Sequence, residues 1–118
     1  SLCNGALDDI WPKMALGQSQ LADAINASAQ HSLDIDTLFD LMQNSQQAKM
    51  ESLPSTGVPL DWEQLLSSIF IISPKYGTRT TNIITQDIEG KIAVHDRSYN
   101  IQGSCIKKQF FSITPKDL

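Results

Sequence analysis

The fold class of this chain is decided by the stretch RTTNIITQDIEGKIAVHDRSY, residues 79–99. Its first part, 79–87, is rich in β-branched residues, which pack well on a pleated surface and favour a strand. Glu89-Gly90 then indicates a hairpin turn, after which 91–99 is predicted to be a second strand. Residues 79–99 therefore predict two consecutive antiparallel strands.

Further strands are predicted on both sides of this hairpin. Downstream, a turn at 100–103 leads into a last strand at 104–114. Upstream, the apolar run 69–72 fits a buried strand. These segments predict a meander of three or four antiparallel strands.

The first half of the chain has a helical pattern instead. A helix is predicted at 12–30, because proline is tolerated in a first turn and apolar residues recur at spacings of three and four. After a break at 31–33, a second helix is expected to begin under a cap from Asp34 or Asp36 and to end near Asn44.

A turn-rich connector and one short helix complete the predicted elements. Residues 51–59 contain two prolines and a glycine, which are typical of turns. Asp61 is then expected to cap a short helix at 62–67. With residues 1–60 mainly helical and 61–118 mainly strand, the chain is predicted to be a single α+β domain. Its two or three helices precede the meander.

Length and composition exclude several classes of protein. With 118 residues, of which 41% are hydrophobic, the chain is typical of one globular domain. Its formal net charge of −4 argues against a surface that binds nucleic acid through phosphate contacts. No apolar run approaches the roughly 20 residues of a membrane-spanning helix. We therefore predict no nucleic-acid partner and no membrane span.

The two halves of the chain differ in charge, and the chain contains only two cysteines. Residues 1–60 carry seven acids against Lys13 and Lys49, whereas 61–118 carry six acids against seven bases. Two cysteines are too few for a secreted disulfide framework. Reduced thiols in a cytosolic protein are predicted, with a single disulfide between Cys3 and Cys105 as the alternative.

The predicted meander contains more apolar bulk than one face covered by two modest helices needs. The residues concerned are Ile83, Ile84, Tyr99, Phe110 and Phe111. Two partners could cover this surface. One is a second copy of the chain, which would form a homodimer through the sheet, and the other is a missing segment of the same protein.

One segment, YGTR at 76–79, has the composition of a functional loop. A glycine in a tight turn before a strand, followed closely by Arg79, places a guanidinium with planar, bidentate donors at the start of the strand. The alternative is an ordinary turn with a surface arginine. His31 and His95 are assigned structural or solvated roles. The sequence contains no glycine-rich phosphate loop and no metal-ligand cluster, so no cofactor and no metal are predicted.

At these residues the chain resembles a known family. The stretches LSSIFI (66–71) and YGTRTT (76–81) resemble the signature LSS-x-F-I … YGTR-[ST]-x-T of the NRDE proteins, also called the transport and Golgi organisation two family. The resemblance continues in consistent order through LCNGALDDIWPK (2–13), LPSTGV (53–58), QDIEGK (86–91) and DRS (96–98).

The chain departs from the family pattern at three points. Cys3 stands where the family often has serine, and Asp96 stands where it usually has glutamate. Family members also begin with Met-Cys and an Asn-Arg-Asp-Glu motif and run to about twice this length. The chain therefore resembles the C-terminal half of such a protein.

The resemblance implies an Ntn-hydrolase-like αββα sandwich to which both halves contribute. The nucleophile would be a cysteine at the start of the missing N-terminal half, with its own α-amine as base, and the substrates would be non-peptide amides. On this resemblance Asn4 and Arg79 are predicted catalytic residues. By likeness to the choloylglycine-hydrolase branch, Asn4 would be an oxyanion-type donor, and Arg79 would position the nucleophile or the substrate. The alternative for Asn4 is an asparagine of a turn or a helix cap. Tyr76 and Thr78 are predicted to bind the ligand, and this chain alone is predicted to be inactive.

Two other functions stay open at this point. The chain could belong to a non-catalytic carrier of haem or lipid-type ligands, or it could be an interaction module that dimerises through its sheet. The stretch WEQLL (62–66) resembles bacterial members more closely, so a bacterial cytoplasmic protein is predicted.

Overall fold

Helices occupy the first part of the chain and strands the second part in the computed structural model, which describes residues 2–28 and 33–117. The chain divides into two units, Ser1–Ile71 and Ile72–Leu118. Within the described ranges, no helix has the length and hydrophobicity that crossing a membrane requires. The α+β class is thus confirmed, whereas the single-domain interpretation of residues 1–118 and the αββα sandwich stay predictions.

The first helix, α1, spans Pro12–Ala27. Pro12 occupies its first turn, where the missing N–H of proline costs no helical hydrogen bond. The backbone N–H groups of Met14 and Ala15 both donate to the Trp11 carbonyl oxygen, at 2.9 and 3.1 Å. The predicted start is confirmed, and the predicted end at residue 30 and most of the break at 31–33 lie outside the described residues.

The second helix, α2, spans Ile35–Met42 and is capped by Asp34. One Asp34 carboxylate oxygen accepts from the Asp36 backbone N–H at 3.1 Å. The other accepts from the Thr37 hydroxyl at 2.8 Å. This decides between the two predicted caps in favour of Asp34. The helix buries Leu38 and Phe39, which belong to the small apolar core of the first unit.

The connector and third helix differ slightly from their prediction. A short 3-10 helix covers Met50–Ser52, and α3 spans Leu60–Leu65. The predicted cap at Asp61 is wrong, because the extended backbone of Pro59 ends the connector and its carbonyl oxygen accepts from the Glu63 N–H at 2.9 Å. The helix therefore begins before Asp61, which lies in its first turn.

The second unit is built around a three-stranded antiparallel sheet. Its strands are β1 (Thr80–Gln86), β2 (Ile92–Tyr99) and β3 (Cys105–Ile113), in the order β1-β2-β3. The turns between them contain Gly90 and Gly103, whose φ angles of 85° and 80° are strained for residues with a Cβ. The predicted meander is thus confirmed.

The additional strand predicted at 69–72 is wrong. Ile72 forms only an isolated bridge with Gly77. The Phe70 backbone N–H donates instead to the Asn44 carbonyl oxygen at 2.9 Å, at the end of α2. Apolar composition marked this run as buried, and Phe70 is indeed buried. However, its hydrogen-bond partner comes from a helix end and not from a strand.

Of the five apolar side chains predicted to need a cover, Ile84, Phe110 and Phe111 are exposed, whereas Ile83 is half-buried. The prediction is wrong for Tyr99, which is buried at the end of β2. The register places Ile84, Val94 and Phe111 side by side on one face, where Ile84 is 68% and Phe111 is 52% exposed. The opposite face carries His95, whose ring contacts that of Phe110 at a centroid distance of 4.9 Å. Residues 105–112 of β3 are all exposed. What covers this surface stays a prediction.

Candidate functional site

The turn that precedes β1 is held by one serine. The Ser73 hydroxyl accepts from the Tyr76 backbone N–H at 3.1 Å and donates to the Tyr76 carbonyl oxygen at 2.5 Å. The bridge between Ile72 and Gly77 closes the same turn. Because both backbone groups of Tyr76 are fixed, its side chain, 51% exposed, projects from an ordered segment.

Arg79 follows this turn and is held by its backbone. Its carbonyl oxygen accepts from the Tyr99 N–H at 2.8 Å, which attaches the residue to the end of β2. The side chain is exposed and makes no hydrogen bond or ion pair with residues 2–28 and 33–116. A guanidinium keeps its charge at all relevant pH values and offers five donors. Arg79 is therefore available to an anionic or carbonyl group from outside these residues.

The four predicted site residues fall in different units. Tyr76, Thr78 and Arg79 lie along one segment of the second unit, with Thr78 half-buried and the other two exposed. Asn4 belongs to the first unit, where its side chain is exposed. The prediction that all four serve one active site stays a prediction.

The segment around Asn4 is folded on itself by local hydrogen bonds. The Gly5 N–H donates to the Cys3 sulfur at 3.3 Å, and the Ala6 N–H donates to an Asp9 carboxylate oxygen at 2.8 Å. A side chain at Gly5 would collide with that carboxylate, because a Cβ there would lie 2.6 Å from it. Cys3 and Cys105 are both free thiols.

Lys13 lies in the first turn of α1, and its ammonium is partly removed from water. Its Nζ donates to the Leu66 carbonyl oxygen at 2.9 Å and lies 5.7 Å from the centre of the Trp11 ring, within cation–π range. Burial lowers the pKa of Lys13 from its ordinary value of 10.5, and Cys3 opposes this shift. Burial disfavours the charged amine because its hydration is incomplete.

Replacing Lys13 with methionine is expected to change how stability depends on pH. Since the pKa of Lys13 is lowered in the folded chain, the unfolded chain binds more protons between the folded-state pKa and 10.5. The contribution of Lys13 to stability therefore rises with pH across that window.

Urea denaturation of wild type and Lys13→Met at a series of alkaline pH values measures this effect. The difference in unfolding free energy, wild type minus variant, should increase as pH rises towards 10.5. Titrating groups that do not interact with Lys13 cancel in the difference, and the test is therefore made in a Cys3→Ser background. A difference that is constant or falls with pH would contradict the assignment.

A groove beside Lys13 escaped prediction. It has a volume of about 210 Å³ and is lined by residues of α1, the segment 46–49, Ser52 and Ser67. Lys13 and Lys49 both line it. They are the only two lysine or arginine residues in the sequence of the first unit, but nothing in their spacing of 36 positions indicated that they line one groove.

Metal binding has no visible basis in the described ranges. Among residues 2–28 and 33–117 no group of three or more His, Cys, Asp or Glu side chains could hold a metal ion. His95 is half-buried against Phe110, in agreement with a structural role. His31 lies outside the residues that the structure describes.

Comparison with protein-family models matches residues 1–101 to the family described as Transport and Golgi organisation 2. The matched span contains Asn4 and the whole of 76–79, and it ends before β3. A search of curated proteins finds no match.

Proposed function

We propose that this chain, which belongs to the Transport and Golgi organisation 2 family, is the C-terminal part of an amidohydrolase that cleaves non-peptide C–N bonds. The cysteine nucleophile and its α-amine base lie in an N-terminal half outside this sequence. The present residues supply polar groups to the site. We place this activity in the bacterial cytoplasm.

The observation that carries the proposal is the state of Arg79. Its backbone is attached to β2 through the Tyr99 N–H, whereas its guanidinium has no partner within the described ranges. An arginine that only stabilised the fold would be expected to pair with a carboxylate or a carbonyl group. A fixed backbone with unused donors supports a role towards a ligand or a second protein segment.

The proposed chemistry gives each residue a limited task. When the thiol gives its proton to the α-amine and attacks the amide carbon, negative charge develops on the carbonyl oxygen. The C–N bond then breaks as the leaving amine takes that proton, and water hydrolyses the resulting thioester to a carboxylate and the free thiol. The Asn4 amide donates a hydrogen bond to that oxygen. Arg79 positions the nucleophile or the carbonyl group, and Tyr76 and Thr78 contact the substrate.

The sheet surface supports the presence of a further protein segment. Ile84 and Phe111 are more than half exposed on the same face, and such a row is typical of a surface that another element covers. We propose that the N-terminal half of the same protein covers it, with a second copy of the chain as the alternative.

Arg79→Ala is expected to lower kcat/KM of the native gene product about tenfold, as the loss of one charge-assisted hydrogen bond. The assay uses a panel of non-peptide amides, including N-acyl amino acids. Arg79→Lys should recover only part of the loss, since an ammonium lacks the bidentate geometry. Lys75→Ala, a charge removal in the same segment, is the matched control and should retain full activity.

Two results would contradict this function. One is amide hydrolysis by the 118-residue chain alone, because it lacks the proposed nucleophile. The other is a native product that hydrolyses no amide but binds haem or acyl-CoA saturably, which would favour the carrier function.

A further inference from the structure

The first unit is acidic, yet its basic residues converge. Residues 1–71 contain nine acids and only two lysines. Both lysines line the same groove, together with Pro12, Leu16, Ala48 and Ser52 among others, and no acidic side chain lines it. An acidic unit would be expected to pair its few cations with its many carboxylates. Here both lysines border one groove instead.

Neither lysine is neutralised within the described part of the chain. Lys13 donates to the Leu66 carbonyl oxygen, and no ion pair of Lys13 or Lys49 occurs with residues 2–28 or 33–116. The Lys13 ammonium has three N–H donors, so two remain after the bond to Leu66. Two like charges on one groove repel each other, and an anion between them would relieve that repulsion.

The wall opposite α1 is ordered before any ligand binds. The Ala48 N–H donates to the Ser67 hydroxyl at 2.8 Å, and that hydroxyl donates to the Gln64 carbonyl oxygen at 2.6 Å. The Gln46 N–H donates to the Asn44 side-chain oxygen at 2.9 Å. The segment 46–49 is therefore hydrogen-bonded in two places, which lowers the entropic cost of binding there.

From these features we infer that the groove binds a small organic anion, specifically a short-chain carboxylate. Its carboxylate lies between Lys13 and Lys49, and its alkyl part lies against the apolar side chains of Pro12, Leu16 and Ala48. The volume of about 210 Å³ is below the 300–1,000 Å³ of most small-molecule sites, so the ligand has few carbon atoms. The inference is independent of the proposed hydrolase activity.

Pentanoate is the probe that tests it. Titration into the chain, followed by the backbone amide NMR signals of Ala48 and Lys49, should show saturable shifts with a millimolar dissociation constant. Pentanamide, which has the same shape without the charge, should bind at least about tenfold more weakly. Inorganic phosphate should also bind more weakly than pentanoate, because it cannot use the apolar wall.

Substitution of each lysine measures its separate contribution to pentanoate binding. Lys49→Met should weaken pentanoate binding about threefold, as removal of an exposed charge. Lys13→Met should weaken it about tenfold, as loss of a partly buried donor. Lys75→Met, in the other unit, is the matched control and should leave binding unchanged. If Lys13→Met does not fold, Lys49→Met still decides the question.

Three results would overturn the inference. The first is shifts that do not saturate up to about 100 mM pentanoate, which is weaker than specific binding. The second is equal affinity for pentanoate and pentanamide, or for pentanoate and phosphate. The third is an unchanged affinity in Lys49→Met.

Discussion

Phe39→Ala is expected to lower the free energy of unfolding by about 3–5 kcal/mol, the usual cost of emptying a buried aromatic site. The ring of Phe39 is only 1% exposed, and the first unit buries few other large apolar side chains. A core this small has little capacity to collapse into the cavity. The tryptophans of this unit, Trp11 and Trp62, allow urea denaturation to be followed by fluorescence.

Phe111→Ala is the matched control, because it also removes a phenylalanine ring, but from an exposed position. Phe111 is 52% exposed on the sheet, so its loss from this chain should cost less than about 1 kcal/mol, as measured by far-UV circular dichroism. A loss for Phe39→Ala no larger than for Phe111→Ala would contradict the assigned core. In the native product, a large loss for Phe111→Ala would support coverage of the sheet by another segment.

The sheet was predictable because its determinants are local. The β-branched run in β1 and the glycine turn at Gly90 lie within a few residues of each other, and each favours the observed backbone by itself. The cap of α2 was predictable for the same reason, since Asp34 bonds to residues two and three positions later. At β1, at the turn with Gly90 and at the start of α2, the backbone conformation that neighbouring residues favour is the one observed.

Two of the failures share a different cause, which is dependence on distant residues. The run at 69–72 has the apolar composition of a strand, but the Phe70 N–H bonds to Asn44, 26 positions earlier. The convergence of Lys13 and Lys49 likewise depends on how the helices of the first unit pack. The periodicity of a sequence does not indicate which distant residues come into contact. The turn that precedes Arg79 was therefore predictable, from a glycine before a strand, whereas the groove was not, and the role of Arg79 stays a prediction.

Glu63 makes a contact outside its own helix, to Thr56 in the connector. Glu63→Ala is expected to lower the free energy of unfolding by about 3 kcal/mol. This acidic residue of a short helix is only 5% exposed. One of its carboxylate oxygens accepts from both the Thr56 backbone N–H, at 2.6 Å, and the Thr56 hydroxyl, at 2.8 Å. Alanine would leave a part-buried N–H without an acceptor, which costs more than the bond itself contributes.

Glu63→Gln separates the role of the charge from the role of the acceptor. The glutamine side-chain oxygen can still accept both bonds from Thr56, so this variant should lose only about 1 kcal/mol, the charge-assisted part of the interaction. Urea denaturation gives both values, and hydrogen exchange at the Thr56 amide should accelerate far more in Glu63→Ala than in Glu63→Gln. Equal losses in the two variants would mean that the charge, and not the attachment of the connector to α3, determines the contribution of Glu63. Gly57, with a φ of 91°, follows directly after Thr56 and forms the turn before Pro59. Once Thr56 has lost its bonds to Glu63, we expect this whole turn to open.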